Sequence, residues 1–428
     1  MYEFHTGNLN HPAPKFNADL SAACNPRDWP YTYQFLSVSV QLNIMLENAS
    51  IPSPCFVLDE AALRRNLELL AQVQDASGAR ILLALKGFAL PAALPLVRRY
   101  LPGTTASSLN EARLGHEIFG GEVHACAPVY LESEFDAIAD LISHITFNSL
   151  SQWERYRDRV IAREPRLSPA IRINPEHSEV ATDLYNPGVP GSRLGINAAE
   201  LGDRLPEGIE GLHVHTLCEC GADALERMLV SLERQFAPLL HQAKWLNLGG
   251  GHLITREGYD TGLLIGLIQH LRKTYALDIF LEPGAAVAWD AGVLVSTIED
   301  RIERRGIRTL MLDTSFAAHM PDCLEMPYKP EVRGARDPRP GETGWRLGGM
   351  TCLAGDTLGD YVFEHEPQIG DRLIFEDMMH YTLVKTLMFN GVSLPAIGIL
   401  RENGRFETVC TFGYADYLRR MGGANLKA

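Results

Sequence analysis

The sequence is short of basic residues: 39 lysines and arginines stand against 53 aspartates and glutamates, a formal charge of -14. Binding a polyanion relies on clustered Lys and Arg, so this balance speaks against nucleic acid or an anionic membrane as partner and favours a small, cationic substrate. No apolar run approaches the roughly 18 residues that a membrane span requires. The opening residues, MYEFHTGNLN, lack the basic, apolar, small-residue order of a secretory signal. The eight cysteines contain no CxxC pair and no regular spacing, which points to reduced thiols in a cytoplasmic protein. Cys218 and Cys220 have no second pair at zinc spacing, so no metal site is expected. What remains is an ordinary globular composition, 46% apolar and 21% charged over 428 residues, enough for two domains with substantial cores.

Three segments follow from the texture of the chain. Residues 1–50 hold prolines, asparagines and histidines with one short apolar run, and read as an extension of uncertain order. From residue 51 to about 290, strand-length apolar runs begin at 81, 103, 123, 144, 169, 211, 244 and 278. Between them lie stretches such as DEAALRRNLELLAQVQ, with apolar residues at three- and four-residue steps. Eight strand-helix alternations over this length predict an α/β fold, a (β/α)8 TIM barrel. A doubly wound sheet is the alternative, but it more often opens on a GxGxxG turn, which is missing after the first strand. From 291 to 428 the runs are separated by Gly, Pro and Asp turns with little helical periodicity, which predicts a mostly-β C-terminal domain.

Barrel chemistry sits at the C-terminal ends of the strands. There the sequence places Lys86, His215, Gly249-Gly250-Gly251 and the Glu282-Pro-Gly284 turn. A lysine is rarely buried without a partner, and at one strand end it reads equally well as an amine emerging into solvent. Four such strand ends together have no shared bland explanation. Consecutive glycines persist where a backbone turns sharply or approaches a ligand, and the loop after strand seven is a usual phosphate position. A phosphate loop, a lysine and an acid facing one barrel fit pyridoxal 5′-phosphate. Its aldehyde bonds a deprotonated lysine amine, and its ring becomes an electron sink when an acid keeps the ring nitrogen protonated. Glu282 suits the acid and His215 a stacking group, although His215 alone would read as a hydrogen-bonded core histidine.

Ordered motifs, "LALKGF", "SSLNEARLG", "GLHVHTLCE", "LNLGGGH", "LEPG", "LDTSFAAHMPDCLEMPY", "GMTCLAGD" and "HYTLVKTLMFNG", resemble the fold-type III pyridoxal-phosphate enzymes, the family of alanine racemase and the ornithine, arginine and diaminopimelate decarboxylases. The resemblance is nearest to the carboxynorspermidine/carboxyspermidine decarboxylase branch and runs from residue 52 to near the C-terminus. It implies that Lys86 bonds the cofactor, that His215 stacks on it, that Gly249, Gly250, Gly251 and Gly284 cradle the phosphate, that Glu282 pairs with the ring nitrogen and that Tyr381 reaches the phosphate. It also implies a homodimer with shared sites, in which Cys352 enters the neighbouring subunit and returns a proton after carbon dioxide leaves. Glu219, Asp313, Asp322 and Asp356 would meet the amines of a cationic carboxypolyamine, with Asp356 beside the distal amine.

Two departures separate the chain from the ornithine branch. Ala285 and Ala286 follow the EPG where that branch has an arginine, and HVHTLCE lacks its glycine-serine. The expected reaction is decarboxylation of carboxynorspermidine and carboxyspermidine to norspermidine and spermidine. The alternatives are a diaminopimelate or other basic amino acid decarboxylase, a racemase, a cofactor-free Schiff-base aldolase and a non-enzymatic homologue that binds the cofactor.

Overall fold

A computed structural model describes residues 51–423 except Ala181, so the extension expected over 1–50 lies outside the described residues. After a first strand, β1 (Cys55–Asp59), the eight apolar runs become β2 (Arg80–Ala84), β3 (Gly103–Ala106), β4 (Glu122–Cys126), β5 (His144–Phe147), β6 (Ser168–Ile173), β7 (Gly211–Val214), β8 (Trp245–Asn247) and β9 (Asp278–Leu281). Each pairs in parallel with the next, and β9 returns to β2 through Arg80↔Phe280 and Ile81↔Leu281, closing the expected barrel. Strands covered on both faces tolerate continuous apolar runs, which is why ILLA reads as it does.

Helices cover the outer face, and α1 (Glu60–Ser77) shows how. The Asp59 carboxylate accepts from the amides of Ala61 and Ala62 at the helix start, and Gly78, at φ 73°, ends it. Leu63, Leu67, Leu70 and Val73 recur at three- and four-residue steps and are all but fully buried, each burial contributing roughly 1.5–3 kcal/mol.

Alternate residues of each strand face the barrel axis. Leu82, Ala170, Trp245 and Phe280 form a separate apolar cluster within the barrel. His124 and His144 stack at 4.0 Å and meet Trp245 and Phe280 edge-on or tilted. This plug closes the interior at its N-terminal half. Polar side chains then occupy the layers nearer the strands' C-terminal ends.

The second body is a nine-stranded sheet. Its further strands are β10 (Gly292–Arg304), β11 (Ile307–Leu312), β12 (Ala335–Arg336), β13 (Trp345–Gly348), β14 (Thr357–Phe363), β15 (Arg372–Phe375), β16 (Ala396–Leu400) and β17 (Phe406–Cys410). They run in the order β12-β14-β13-β11-β10-β1-β16-β17, with β15 also on β10. The boundary expected at residue 51 differs here, because β1 is not a barrel strand. It lies antiparallel to β10 (Phe56↔Leu294) and parallel to β16 (Val57↔Gly398), inside the sheet that otherwise follows residue 291. The long β10 holds both halves together, since its first residues pair with β1 and β15 and its last with β11.

Candidate active site

The turn after β2 carries Lys86, which is exposed at the barrel mouth. Gly87 explains the local shape: a Cβ there would come 2.6 Å from Gly284 Cα and 2.9 Å from Gly284 C, both backbone atoms. The two turns touch without side chains between them. The Tyr381 amide donates to the Gly87 carbonyl at 2.8 Å, and the Tyr381 hydroxyl is 3.3 Å from where a Gly284 Cβ would stand. The structure thus brings the turn that carries Lys86 together with Gly284 and Tyr381. Tyr381 and Glu219 both hold positive φ, 47° and 52°, an unfavourable backbone for such residues that commonly marks functional loops.

Across the mouth, His215 follows β7 and the triple glycine follows β8. A Cβ on Gly249 would lie 2.6 Å from His215 Cβ, and one on Gly250 2.4 Å from the Glu282 carbonyl oxygen. Only glycine lets His215 and the Glu282 turn come this close. The amides are used differently from expectation. Gly249 N–H donates to Asn247 Oδ1 at 2.8 Å and Gly250 N–H to His215 Nδ1 at 2.9 Å, so these two donors are spent inside the protein. What Gly249 and Gly250 supply is room and the orientation of His215, rather than bare amides for a phosphate.

Burial, reinforced by the charges of Lys86 and Arg172, holds His215 well below the usual imidazole range. Together with the hydrogen bond to Nδ1, this makes His215 neutral at pH 7, with a flat face available for stacking. Glu282 is buried, a setting that alone would favour its neutral form. The His213 imidazole at 3.2 Å and the Asn247 amide at 2.7 Å outweigh burial and hold the carboxyl down at about 2. The buried Arg172 donates from its guanidinium to the His215 carbonyl at 3.1 Å, and His213 and Asn247 are site residues that the sequence does not single out. The available signal is parity: His213 stands two before His215 on β7, and so faces the same interior.

These residues fit pyridoxal phosphate: a mouth lysine, glycines leaving space that a Cβ would fill, a neutral imidazole and a buried anionic carboxylate. The acidic candidates divide. The charge of Glu219 acts on Tyr381 and His380, which places it at the mouth. Asp322, on the short helix Pro321–Glu325, accepts through Oδ2 from Tyr328 and Thr382 at 3.0 and 2.7 Å. Its Oδ1 is buried with no hydrogen-bond partner among the described residues.

Two candidates are corrected. Asp356 does not face a substrate amine, because the residue is 2% exposed and its carboxylate accepts five hydrogen bonds, from Ser315 Oγ, the amides of Phe316, Ala317 and Thr351, and Thr351 Oγ1. It ties the Cys352 loop to the loop after β11. Asp313 is likewise engaged, accepting from Ser53 Oγ, Ser296 Oγ and the Thr297 amide at 2.6–2.8 Å. Cys352 is exposed, with its amide donating to Asn390 Oδ1 at 3.2 Å.

Comparison with known proteins agrees with this geometry. The family model described as "Pyridoxal-dependent decarboxylase, C-terminal sheet domain" matches residues 31–379, beginning before residue 52, where the sequence resemblance starts. A carboxyaminopropylagmatine decarboxylase of Synechocystis is 54% identical over 90% of this chain and 100% of its own length. A carboxynorspermidine/carboxyspermidine decarboxylase of Campylobacter jejuni is 42% identical over 86% of this chain and 98% of its own. The crystal structure of carboxynorspermidine decarboxylase with norspermidine, also from Campylobacter jejuni, superposes with a TM-score of 0.79 at 41% identity, covering 86% of this chain and 100% of that one. Among the described residues no helix is long and apolar enough to cross a membrane. With the barrel, the sheet and this lysine-histidine-glutamate site in place, the chain belongs to the pyridoxal-dependent decarboxylase family and is a pyridoxal-phosphate carboxy-lyase.

Proposed function

We propose that the substrate is a carboxylated polyamine, with carboxynorspermidine and carboxyspermidine converted to norspermidine and spermidine. The observation that carries this is Asp322 Oδ1, a buried carboxylate oxygen without a hydrogen-bond partner among the described residues, whose charge, like that of Glu219, acts on His380 beside Tyr381. An amine supplies the donor such an oxygen lacks. The distal carboxylate of diaminopimelate would instead be repelled.

Pyridoxal phosphate, when bound, supplies a protonated ring that accepts the electrons released as carbon dioxide leaves. In this reading Lys86, on the turn after β2, would be the residue that holds the cofactor through its amine. His215 would stack on its ring, Glu282 would pair with the ring nitrogen, and Gly251, Gly284 and the Tyr381 hydroxyl would serve the phosphate. Cys352 Sγ, from the partner subunit of a homodimer, returns a proton to the substrate Cα. Its exposure supports that assignment. The seven described cysteines, all free, support a cytoplasmic setting.

A second substrate reading rests on the 54% identical Synechocystis relative: carboxyaminopropylagmatine, whose distal cation is a guanidinium. Carbon dioxide release from carboxynorspermidine, carboxyspermidine, carboxyaminopropylagmatine, diaminopimelate, ornithine and arginine separates the readings. The first is retained if either of the first two is turned over with the highest kcat/KM, and replaced if carboxyaminopropylagmatine is. The carboxypolyamine class itself fails if diaminopimelate leads. Mixing Lys86→Ala with Cys352→Ala subunits tests the shared site. Random reassortment gives half heterodimers with one intact site each, so recovery approaches about 25% of wild type, and no recovery sinks the shared-site reading.

A further inference from the structure

Below the mouth, one interior layer holds a connected set of polar side chains that the family reaction does not by itself call for. His213 on β7 points its Nε2 at Glu282 Oε2, 3.2 Å away, and its ring lies parallel to that of His215, 7° apart with centroids at 6.3 Å. Asn247 on β8 donates to the other oxygen, Oε1, at 2.7 Å, and is itself fixed by the Gly249 amide at 2.8 Å. His213 and Asn247 are each 1% exposed and Glu282 5%, so no solvent competes for these contacts. Both oxygens of Glu282 are thus oriented by donors from below.

We propose that His213 is a positioning residue: with Asn247 it fixes the Glu282 carboxylate toward the cofactor's ring nitrogen and keeps the shared proton on that nitrogen rather than on the acid. This rests on the reading of Glu282 as the partner of the ring nitrogen. The physical reason is a difference in distance. A cation in contact with the carboxylate stabilises the anion more than it penalises a protonated ring on the far side of that carboxylate. What His213 governs is therefore where the proton sits, not whether the pair retains it.

His213 can carry that charge. The titratable or charged groups around it are Cys126 from β4, Arg172 from β6, its neighbour His215, and Glu282, with His124 and Tyr130 acting on Glu282 from further off. Burial opposes a proton on His213. The Cys126 sulfur and the Glu282 carboxylate outweigh it and raise His213 to about 9.

The test uses holoenzyme reconstituted with pyridoxal phosphate carrying 15N in the ring, whose nitrogen chemical shift reports protonation directly. At neutral pH the wild type gives a pyridinium-like resonance, and Glu282→Gln moves it to the neutral pyridine value. His213→Gln, which keeps a donor but no charge, shifts the proton ratio about tenfold, from mostly ring-bound to roughly even, with kcat lowered and KM for substrate little changed. A double variant no worse than Glu282→Gln alone supports the same conclusion, since His213 acts only through Glu282. If Glu282→Gln moves the resonance and His213→Gln does not, the inference is overturned while the reading of Glu282 stands. If Glu282→Gln leaves it unmoved, the reading of Glu282 fails first. Should His213→Gln and the smaller His213→Asn both fail to fold, His213 is structural and the proposal falls.

Discussion

Gly87→Ala is the sharpest perturbation the fold offers. Gly87 does not hold a positive φ, so alanine meets no backbone penalty and the added methyl acts by contact alone. That methyl would stand 2.6 Å from Gly284 Cα and 2.9 Å from Gly284 C, whereas ordinary contact begins near 3.4 Å. Because the obstructing atoms are backbone, no rotamer change relieves the clash. The turn carrying Lys86 and the turn carrying Gly284 must separate by about 1 Å, at an overpacking cost of roughly 1–3 kcal/mol. A displacement of that size between reacting groups lowers turnover about 100-fold. The assay compares kcat, the absorbance band of bound cofactor and the melting temperature against Gly266→Ala. Gly266 lies in the helix Thr261–Tyr275 with nothing within 4 Å of the new methyl, so that change stabilises by about 0.5–1 kcal/mol and leaves kcat alone. Wild-type turnover and cofactor absorbance in Gly87→Ala would refute the claim that these two turns position the lysine.

Asp356→Ala leaves five donors without their acceptor and destabilises urea unfolding by more than about 3 kcal/mol, at about 1–3 kcal/mol for each stranded buried donor. An Asp356→Ala protein that melts like wild type but shows a raised KM would restore the substrate role rejected above. Asp290, raised by partial burial and by the Asp377 charge to about 6, titrates near 3.9 when unfolded. The folded pKa is the higher, so this stability is fully present below about 4 and lost as pH rises through about 6. Asp290→Asn is accordingly more stable than wild type at pH 7.5 by less than about 1 kcal/mol, the site being exposed. The gain disappears toward pH 4, and a gain independent of pH would show that charge is not its origin.

The barrel was legible because a strand buried on both faces announces itself as a short apolar run, and eight such runs at regular spacing admit few arrangements. The place of β1 was not legible. CFVLD is also such a run, and its partners Leu294 and Gly398 lie more than 200 residues away in the chain. At the site, Lys86, His215, the glycines and Glu282 could be found because each ends a strand of one barrel, and the ends of a closed barrel must converge. Asp356 and Asp313 misled because an aspartate in a polar loop looks the same whether its donors belong to a substrate or to Ser315, Phe316 and Ser296. His213 and Asn247 escaped for the opposite reason, since a polar side chain inside a strand carries no mark of the neighbour on another strand that satisfies it.

Reduction of the cofactor-loaded protein with borohydride, followed by peptide mass spectrometry, addresses the central claim that one barrel mouth holds the cofactor on Lys86. The account predicts a single pyridoxyl adduct, on Lys86, absent from Lys86→Ala. An adduct on another lysine, or none in protein that still releases carbon dioxide, would contradict it.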